Sequence, residues 1–174
     1  MTDIFYFAYG SNMSVKRITA RVASAQVIDT ACLHGHRLGF RKVGTDGSAK
    51  CDIQTTQHAQ DMVFGVLFSL LADDKKILDG IEGLGRGYAQ KLVPVLTNRG
   101  VNTEALTYYA TDINIFLSPF HWYKEHVLAG AREHRLPPAY IRMIESVSTI
   151  PDPDPDRHTL EMSIYRSDEH LHYR

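Results

Sequence analysis

Cysteine, clustered charge and long apolar runs are all scarce in this sequence. Cysteine occurs only twice, at Cys32 and Cys51, which argues against a disulfide framework and favours a reduced, cytoplasmic compartment. Acidic and basic residues nearly balance, giving a formal net charge of −1, and Lys and Arg are spread along the chain. Since nucleic acids and anionic membranes select clustered positive charge, we expect neither of them as a partner.

The apolar runs are short, and this limits the length of membrane that they could span. The longest, such as residues 62–71, cannot cross a bilayer, so no membrane-spanning segment is expected. The opening residues show no basic stretch leading into an apolar one, so we expect no secretion signal. Both cysteines lie in strand-like segments and are expected to be small core residues, because neither has a setting that would lower its thiol pKa.

The composition fits one domain with a tail. The chain has 174 residues, of which 44% are hydrophobic, enough to bury a real core. We assign residues 1–150 to a single domain and residues 151–174 to a Pro/Asp spacer and C-terminal tail. The spacer, PDPDPD, is expected to be extended because its prolines oppose helix formation, and the tail carries His170 and His172.

The order of the predicted elements favours an α+β fold. Strand-like runs cover residues 4–9, 26–33, 37–41, 50–56, 62–70, 88–96 and 104–111, and helical patterns cover residues 15–22, 72–81, 119–134 and 139–147. Strands come first, one longer helix interrupts them, and two helices end the domain. This order predicts a curved mixed β-sheet or small β-barrel flanked by helices. Regular β-α alternation is missing, which argues against a doubly wound nucleotide-binding fold.

A glycine-rich stretch surrounds Glu82, in the sequence GIEGLGRG. A dinucleotide fingerprint would need G-x-G-x-x-G after a strand and before a helix, whereas this stretch follows a helix and precedes a strand. One interpretation is a helix C-cap followed by a mobile loop. The other is that the glycines let the backbone pass closely around a substrate, with Glu82 facing it.

The turn after the first strand, Gly10-Ser11-Asn12, lies at a strand-to-helix corner. Free backbone N–H groups at such a corner can hold an anion or a polarised carbonyl oxygen. Ser and Asn could equally well cap the helix that follows, and physical reasoning alone does not separate the two interpretations. Neither a convincing metal-ligand spacing nor a G-x-S-x-G nucleophile motif is present, so we expect no metal site and no serine nucleophile.

The segment YFAYGSN resembles the first-strand turn of the γ-glutamylcyclotransferase family, and the resemblance continues along the chain. Further matches are VFGVLFSL, LDGIEG with Tyr88 six residues after its Glu, the strand LTYYATD, and the late segment SPFHWYKEHVLAGAREHRLPPAYIRMIESV. Together they cover roughly residues 4–150. A lone YGSN would be a weak signal, whereas the ordered set is specific.

The resemblance implies an enzyme that cyclises its substrate. The free α-amine of a γ-glutamyl amide attacks its own γ-carbonyl, releasing 5-oxoproline and the free amine. The family's general acid/base falls on Glu82, and no cofactor or metal is implied, because the nucleophile belongs to the substrate. The implied substrate-binding residues are Tyr6, Phe7, Ala8, Tyr9, Gly10, Ser11, Asn12, Tyr88 and Tyr108.

A non-catalytic domain that recognises γ-glutamyl or 5-oxoproline-like ligands is the alternative. The presence of Glu82 weighs against it, because a binding domain needs no proton-transferring carboxylate. In either case the expected partner is a small-molecule γ-glutamyl compound. The sequence leaves the leaving amine and the oligomeric state open, with a homodimer among the states it allows.

Overall fold

The computed structural model describes residues 3–166 and shows five strands closed into a barrel. The barrel strands are β1 (Asp3–Ala8), β2 (Gln26–His34), β5 (Met62–Leu71), β6 (Tyr88–Thr97) and β7 (Asn102–Ala110), and a separate hairpin is formed by β3 (His36–Val43) and β4 (Ala49–Thr55). The order around the barrel is β1–β5–β2–β6–β7, with β7 returning to β1 in parallel at Tyr6 and Leu106. The predicted α+β class, with a small mixed barrel flanked by helices, is confirmed.

β5 is the central strand, as its nearly continuous apolar sequence predicts. It pairs antiparallel with β1 on one side and with β2 on the other, and most of its side chains are buried. Gly65 marks a close backbone approach, because a Cβ at this position would lie 2.3 Å from the backbone oxygen of Ala8. Glycine is therefore required here for β1 and β5 to pack as they do.

The β3–β4 hairpin lies outside the closed barrel. Its turn contains Gly44, Asp46 and Gly47, and Gly47 has a φ of 80°, in the left-handed region that favours glycine. The register shifts after Phe40, so that β3 carries one extra residue and Lys42 lies directly opposite Lys50. The bulge therefore brings two lysines face to face across the hairpin.

Helices cover the barrel, and all four helical patterns predicted from the sequence are present. The helices are α1 (Val15–Arg21), α2 (Lys75–Glu82), α3 (His121–Glu133), α4 (Pro138–Glu145) and α5 (Pro155–Ser163). Ser14 occupies the N-cap position of α1, but its hydroxyl accepts a hydrogen bond from Tyr165 at 3.1 Å rather than capping the helix. Within residues 3–166, no helix has the length and apolar character needed to cross a membrane.

The expectation of an extended acidic spacer is wrong from Pro155 onward, where α5 begins. The Asp154 carboxylate accepts hydrogen bonds from two backbone N–H groups in the first turn of α5. Proline is well tolerated at the first helical position, because the N–H that it lacks has no intrahelical partner there. Asp152 accepts a hydrogen bond from Trp122 at 2.7 Å, which attaches the preceding segment to α3. His170 and His172 lie outside the described residues.

Glu161 attaches α5 itself to the domain. Its carboxylate lies 2.5 Å from Arg17 Nη1 and 2.9 Å from Nε2 of the fully buried His126. Burial raises the pKa of Glu161, but the hydrogen bond with His126 and the charge of Arg17 outweigh it and lower the pKa to about 2. Residues 151–166 are therefore packed against the domain, with ionic contacts at Glu161.

Candidate active site

A small pocket lies beside the end of β1, and tyrosine side chains form most of its wall. We call it the tyrosine pocket; its lining residues are Tyr6, Tyr9, Gly10, Ser11, Asn12, Cys51, Glu82, Tyr88, Tyr108 and Tyr123. They come from β1 and the turn after it, β4, α2, β6, β7 and α3. The tertiary fold thus assembles one site from segments that are far apart in the sequence.

Asn12 is the centre of a hydrogen-bond network in this pocket. Its side-chain NH₂ donates to Glu82 Oε1 at 2.7 Å and to the Tyr6 hydroxyl at 3.2 Å. Its side-chain oxygen accepts from Arg21 Nη1 at 2.9 Å. Each polar atom of the amide therefore has a partner, and this fixes the orientation of Asn12 and of the carboxylate that it holds.

Glu82 is the last residue of α2 and not part of the glycine-rich loop. Gly83 follows it with a φ of 71° and caps the helix in the left-handed conformation. The structure therefore confirms the helix C-cap among the two interpretations of this stretch, with Glu82 held at the end of α2. The Glu82 side chain is 16% exposed, and its Oε1 lies 3.8 Å from Arg21 Nη1.

The surroundings of Glu82 raise its pKa above that of a glutamate in water, and so they favour its protonated form. Burial raises the pKa of Glu82, while the charge of Arg21 and the hydrogen bond from Asn12 act in the opposite direction without cancelling it. The C-terminal end of α2 also disfavours a negative charge, because the helix dipole is negative there. A carboxylate with a raised pKa is a stronger base than a free one, as proton transfer requires.

Three tyrosine hydroxyls of the pocket donate to fixed acceptors. Tyr9 donates to the backbone oxygen of Tyr108, Tyr88 to the backbone oxygen of Cys51, and Tyr108 to Asp79 Oδ1, each at 2.6 Å. Burial raises the pKa of all three phenols, so the hydroxyls remain neutral over the physiological range. These hydrogen bonds lock the ring orientations and so define the shape of the pocket.

Most of the site residues predicted from the sequence meet in this pocket. They are Tyr6, Tyr9, Gly10, Ser11, Asn12, Glu82, Tyr88 and Tyr108. Phe7 and Ala8, also predicted to bind substrate, do not line it. Successive strand side chains point to opposite faces, and the Phe7 side chain is fully buried in the core. The backbone oxygens of Phe7 and Ala8 instead face Thr107 and Gly65.

Two lining residues were not recognised from the sequence. The backbone N–H of Cys51 donates to the Tyr123 hydroxyl at 2.9 Å, so β4 and α3 meet at the pocket wall. Burial raises the pKa of the Cys51 thiol to about 12, which argues against a nucleophilic thiolate. Cys51 was predicted as a core residue and is one, whereas Cys32, predicted likewise, is only half-buried. Tyr123 lies on the apolar face of α3, where its pattern indicates only a core position.

A wider groove adjoins the tyrosine pocket and shares Ser11, Glu82, Tyr88 and Tyr123 with it. We call it the outer groove. Its charged residues are six cations, Arg17, Arg21, Lys42, Lys50, Arg86 and Arg157, and three acids, Asp46, Glu82 and Glu161. A molecule that extends from the tyrosine pocket past Glu82 therefore enters surroundings with an excess of positive charge.

The fold and the site together define a class of protein. It is a small closed barrel flanked by helices, in which the carboxylate of Glu82 lies among tyrosines beside a strand-to-helix turn. Within residues 3–166, no three or more His, Cys, Asp or Glu side chains are grouped so that they could hold a metal ion.

Sequence comparisons point to one family. The AIG2-like family model matches residues 62–144. The bovine γ-glutamylcyclotransferase is 30% identical over 155 residues, which cover 83% of this chain and 79% of that protein, and the human γ-glutamylcyclotransferase is 29% identical over the same shares. The chain therefore belongs to the γ-glutamylcyclotransferase family.

Comparison with solved structures agrees. A structure described as a γ-glutamyl cyclotransferase superimposes with a TM-score of 0.85 and 25% sequence identity, covering 95% of this chain and 99% of that one. A human protein described as uncharacterized superimposes with a TM-score of 0.79 and 27% identity, covering 86% of this chain and 90% of that one. The similarity thus extends over nearly the whole fold.

Proposed function

We propose that this protein is a γ-glutamylcyclotransferase that converts a γ-glutamyl amide into 5-oxoproline and the free amine, with Glu82 as general acid/base. The observation that carries the proposal is the placement of Glu82: a carboxylate with a raised pKa, fixed by Asn12 at the junction of the tyrosine pocket and the outer groove. Family membership at about 30% identity supports the same reaction.

The tyrosine pocket would hold the γ-glutamyl group. Among residues 3–166, the backbone N–H groups of Gly10, Ser11 and Asn12 have no hydrogen-bond partner, and no side-chain hydrogen bond caps α1. Such N–H groups can bind the substrate carboxylate or the oxyanion that forms when the γ-carbonyl is attacked. The unpartnered N–H groups favour an anion-binding role for this turn over the capping role.

Proton transfer in this reaction needs a single carboxylate. The α-amine of the substrate attacks the γ-carbonyl carbon, and Glu82 accepts the proton that the nitrogen loses. As the tetrahedral intermediate collapses, the bond to the leaving nitrogen breaks, and Glu82 returns a proton to that nitrogen. Because nucleophile and electrophile belong to one molecule, the remaining task of the pocket is to hold the folded conformer that closes the five-membered ring.

The first test is an assay for 5-oxoproline release from γ-glutamyl-alanine. We expect turnover by the wild type and a loss of at least about 100-fold in kcat/KM in Glu82→Gln, because general acid/base catalysis contributes that much or more. Glu104→Gln, which changes an exposed glutamate on β7, is the matched control and should behave as the wild type. Circular dichroism of each variant checks that the fold is retained.

The same assay separates the two functions considered from the sequence. Undiminished activity in a folded Glu82→Gln variant contradicts the assigned role of Glu82. Calorimetry that detects binding of γ-glutamyl-alanine or 5-oxoproline, with no product formed by the wild type, would instead identify a non-catalytic binding domain.

A further inference from the structure

Lys42 stands apart from the other cations of the outer groove. Four of those have a carboxylate or an amide oxygen as partner: Arg17 with Glu161 at 2.5 Å, Arg21 with Asn12 at 2.9 Å, Lys50 with Asp46 at 2.6 Å, and Arg157 with Asp152 at 2.5 Å. Arg86 is exposed at the rim of the groove. Lys42 is only 6% exposed, yet its ammonium group has no hydrogen bond or ion pair with any residue in the range 3–166.

The structure directs the Lys42 ammonium into the groove. Its Nζ lies 4.7 Å from the ring centre of Tyr88, a residue that lines both the tyrosine pocket and the outer groove. A Cβ at Gly87 would lie 3.2 Å from Nζ, so the bare glycine backbone leaves the room that the ammonium occupies. The ring face of Tyr88 partly stabilises the charge but leaves the ammonium donors without an acceptor.

This arrangement is unfavourable in the absence of an anion. Burial deprives the ammonium of part of its hydration and accordingly lowers the pKa of Lys42, although the charges of Glu82, Asp112 and Asp46 act in the opposite direction without cancelling this effect. An anionic group bound in the groove would supply the missing hydrogen-bond acceptor and offset this cost.

We propose that Lys42 determines specificity for the leaving group by binding a carboxylate that the departing amine carries. This inference rests on the function proposed above. With the γ-glutamyl group in the tyrosine pocket and Glu82 at the scissile bond, the leaving amine extends into the outer groove, where Lys42 lies. In an α-amino acid the carboxylate is one carbon away from the scissile nitrogen. Lys42 therefore favours γ-glutamyl amino acids over γ-glutamyl derivatives of neutral or cationic amines.

A pair of substrates that differ only in the carboxylate tests this role. γ-Glutamyl-ethylamide is γ-glutamyl-alanine with the carboxylate of the leaving group removed. For the wild type we expect kcat/KM to be roughly 10- to 100-fold higher with γ-glutamyl-alanine, the range typical of a hydrogen bond to a charged group. Lys42→Met should remove this preference, because kcat/KM for γ-glutamyl-alanine falls much further than kcat/KM for γ-glutamyl-ethylamide. Lys42→Arg, which keeps the charge, should retain a preference for γ-glutamyl-alanine.

Lys91 provides a matched control, because its Nζ also lies over a tyrosine ring, 5.3 Å from the centre of Tyr109, but it does not line the groove. Lys91→Met should leave the substrate preference unchanged.

Activity of Lys42→Met on γ-glutamyl-ethylamide shows that this variant is folded and that its catalytic site works; a thermal melt checks the fold independently. Equal losses on both substrates in Lys42→Met, or a wild type without preference, would overturn the role of Lys42. Failure of the wild type to release 5-oxoproline from either substrate would contradict the proposed function itself.

Discussion

At the scale of single residues, the site depends on the balance of interactions around the Glu82 carboxylate. Burial and the C-terminal end of α2 favour the protonated acid, whereas the Arg21 charge and the Asn12 amide favour the carboxylate. Because the pKa is raised on balance, Glu82 is a stronger base than a solvated glutamate but is ionised only above the raised pKa. Activity should therefore fall as the pH drops through that value.

Removal of the Arg21 charge should shift this balance in a known direction. In Arg21→Met the carboxylate loses its nearby cation, so the pKa of Glu82 rises further and the acidic limb of the kcat/KM profile moves to higher pH. At neutral pH activity should fall severalfold and recover as the pH is raised. The measurement is a pH–rate profile for 5-oxoproline release, with Arg99→Met, an exposed arginine paired with Asp29, as control. A limb that stays in place or moves to lower pH would contradict the assigned electrostatics.

At the scale of elements, the turn that is proposed to bind substrate is supported by the packing of α3. A Cβ at Gly130 would lie 2.5 Å from Met13 Cβ and 2.5 Å from the backbone nitrogen of Ser14. Met13 ends the short 3-10 helix Ser11–Met13 and is itself fully buried. Glycine at this position therefore lets α3 approach the turn whose N–H groups are proposed to bind substrate.

Two glycine-to-alanine changes on helices should have opposite effects. Gly130→Ala forces α3 and the turn apart, so it should destabilise the fold by about 1–3 kcal/mol and also lower activity, since the turn moves. In α2, a Cβ at Gly80 meets no atom within 4 Å, and Gly80→Ala should stabilise by about 0.5–1 kcal/mol through the better helix propensity of alanine. Chemical denaturation and the 5-oxoproline assay measure both effects. Equal stability of the two variants would show that the close approach at Gly130 is not limiting.

Elements whose local pattern matches their environment could be predicted from the sequence, and the others could not. β5 is nearly continuous in apolar residues because it is buried between two strands, and α2 ends just before Gly83, whose left-handed conformation caps it. The helix α5 was missed because alternating Pro and Asp suggests an extended chain, although Asp154 and Pro155 form a regular helix start. The bulge beside Lys42 leaves no mark in the sequence of β3, since it depends on the register with β4.

At the scale of the whole molecule, the site exists only when the barrel and its helices are assembled. Tyr6, Glu82 and Tyr108 could be identified from motifs, but Cys51 and Tyr123 could not, because each sits in a segment with an ordinary core pattern. The tyrosine pocket joins residues from β1, β4, α2, β6, β7 and α3. A ligand in this pocket therefore contacts much of the fold at once, and its binding energy adds to global stability.

This coupling predicts that a γ-glutamyl ligand stabilises the entire domain. Glu82→Gln is the suitable protein, because it should bind γ-glutamyl-alanine without consuming it. Binding to the folded state alone contributes about 2.7 kcal/mol when the free ligand is at a hundredfold excess over its Kd. For a chain of this size, that corresponds to a rise in Tm of roughly 5–10 °C. Thermal melts at increasing γ-glutamyl-alanine concentration should show a continuous rise in Tm, whereas free alanine, which lacks the γ-glutamyl group, should produce none.

If the Tm stayed constant up to high millimolar ligand, the tyrosine pocket would not be the γ-glutamyl site. If free alanine shifted the Tm equally, recognition would depend on the leaving group alone.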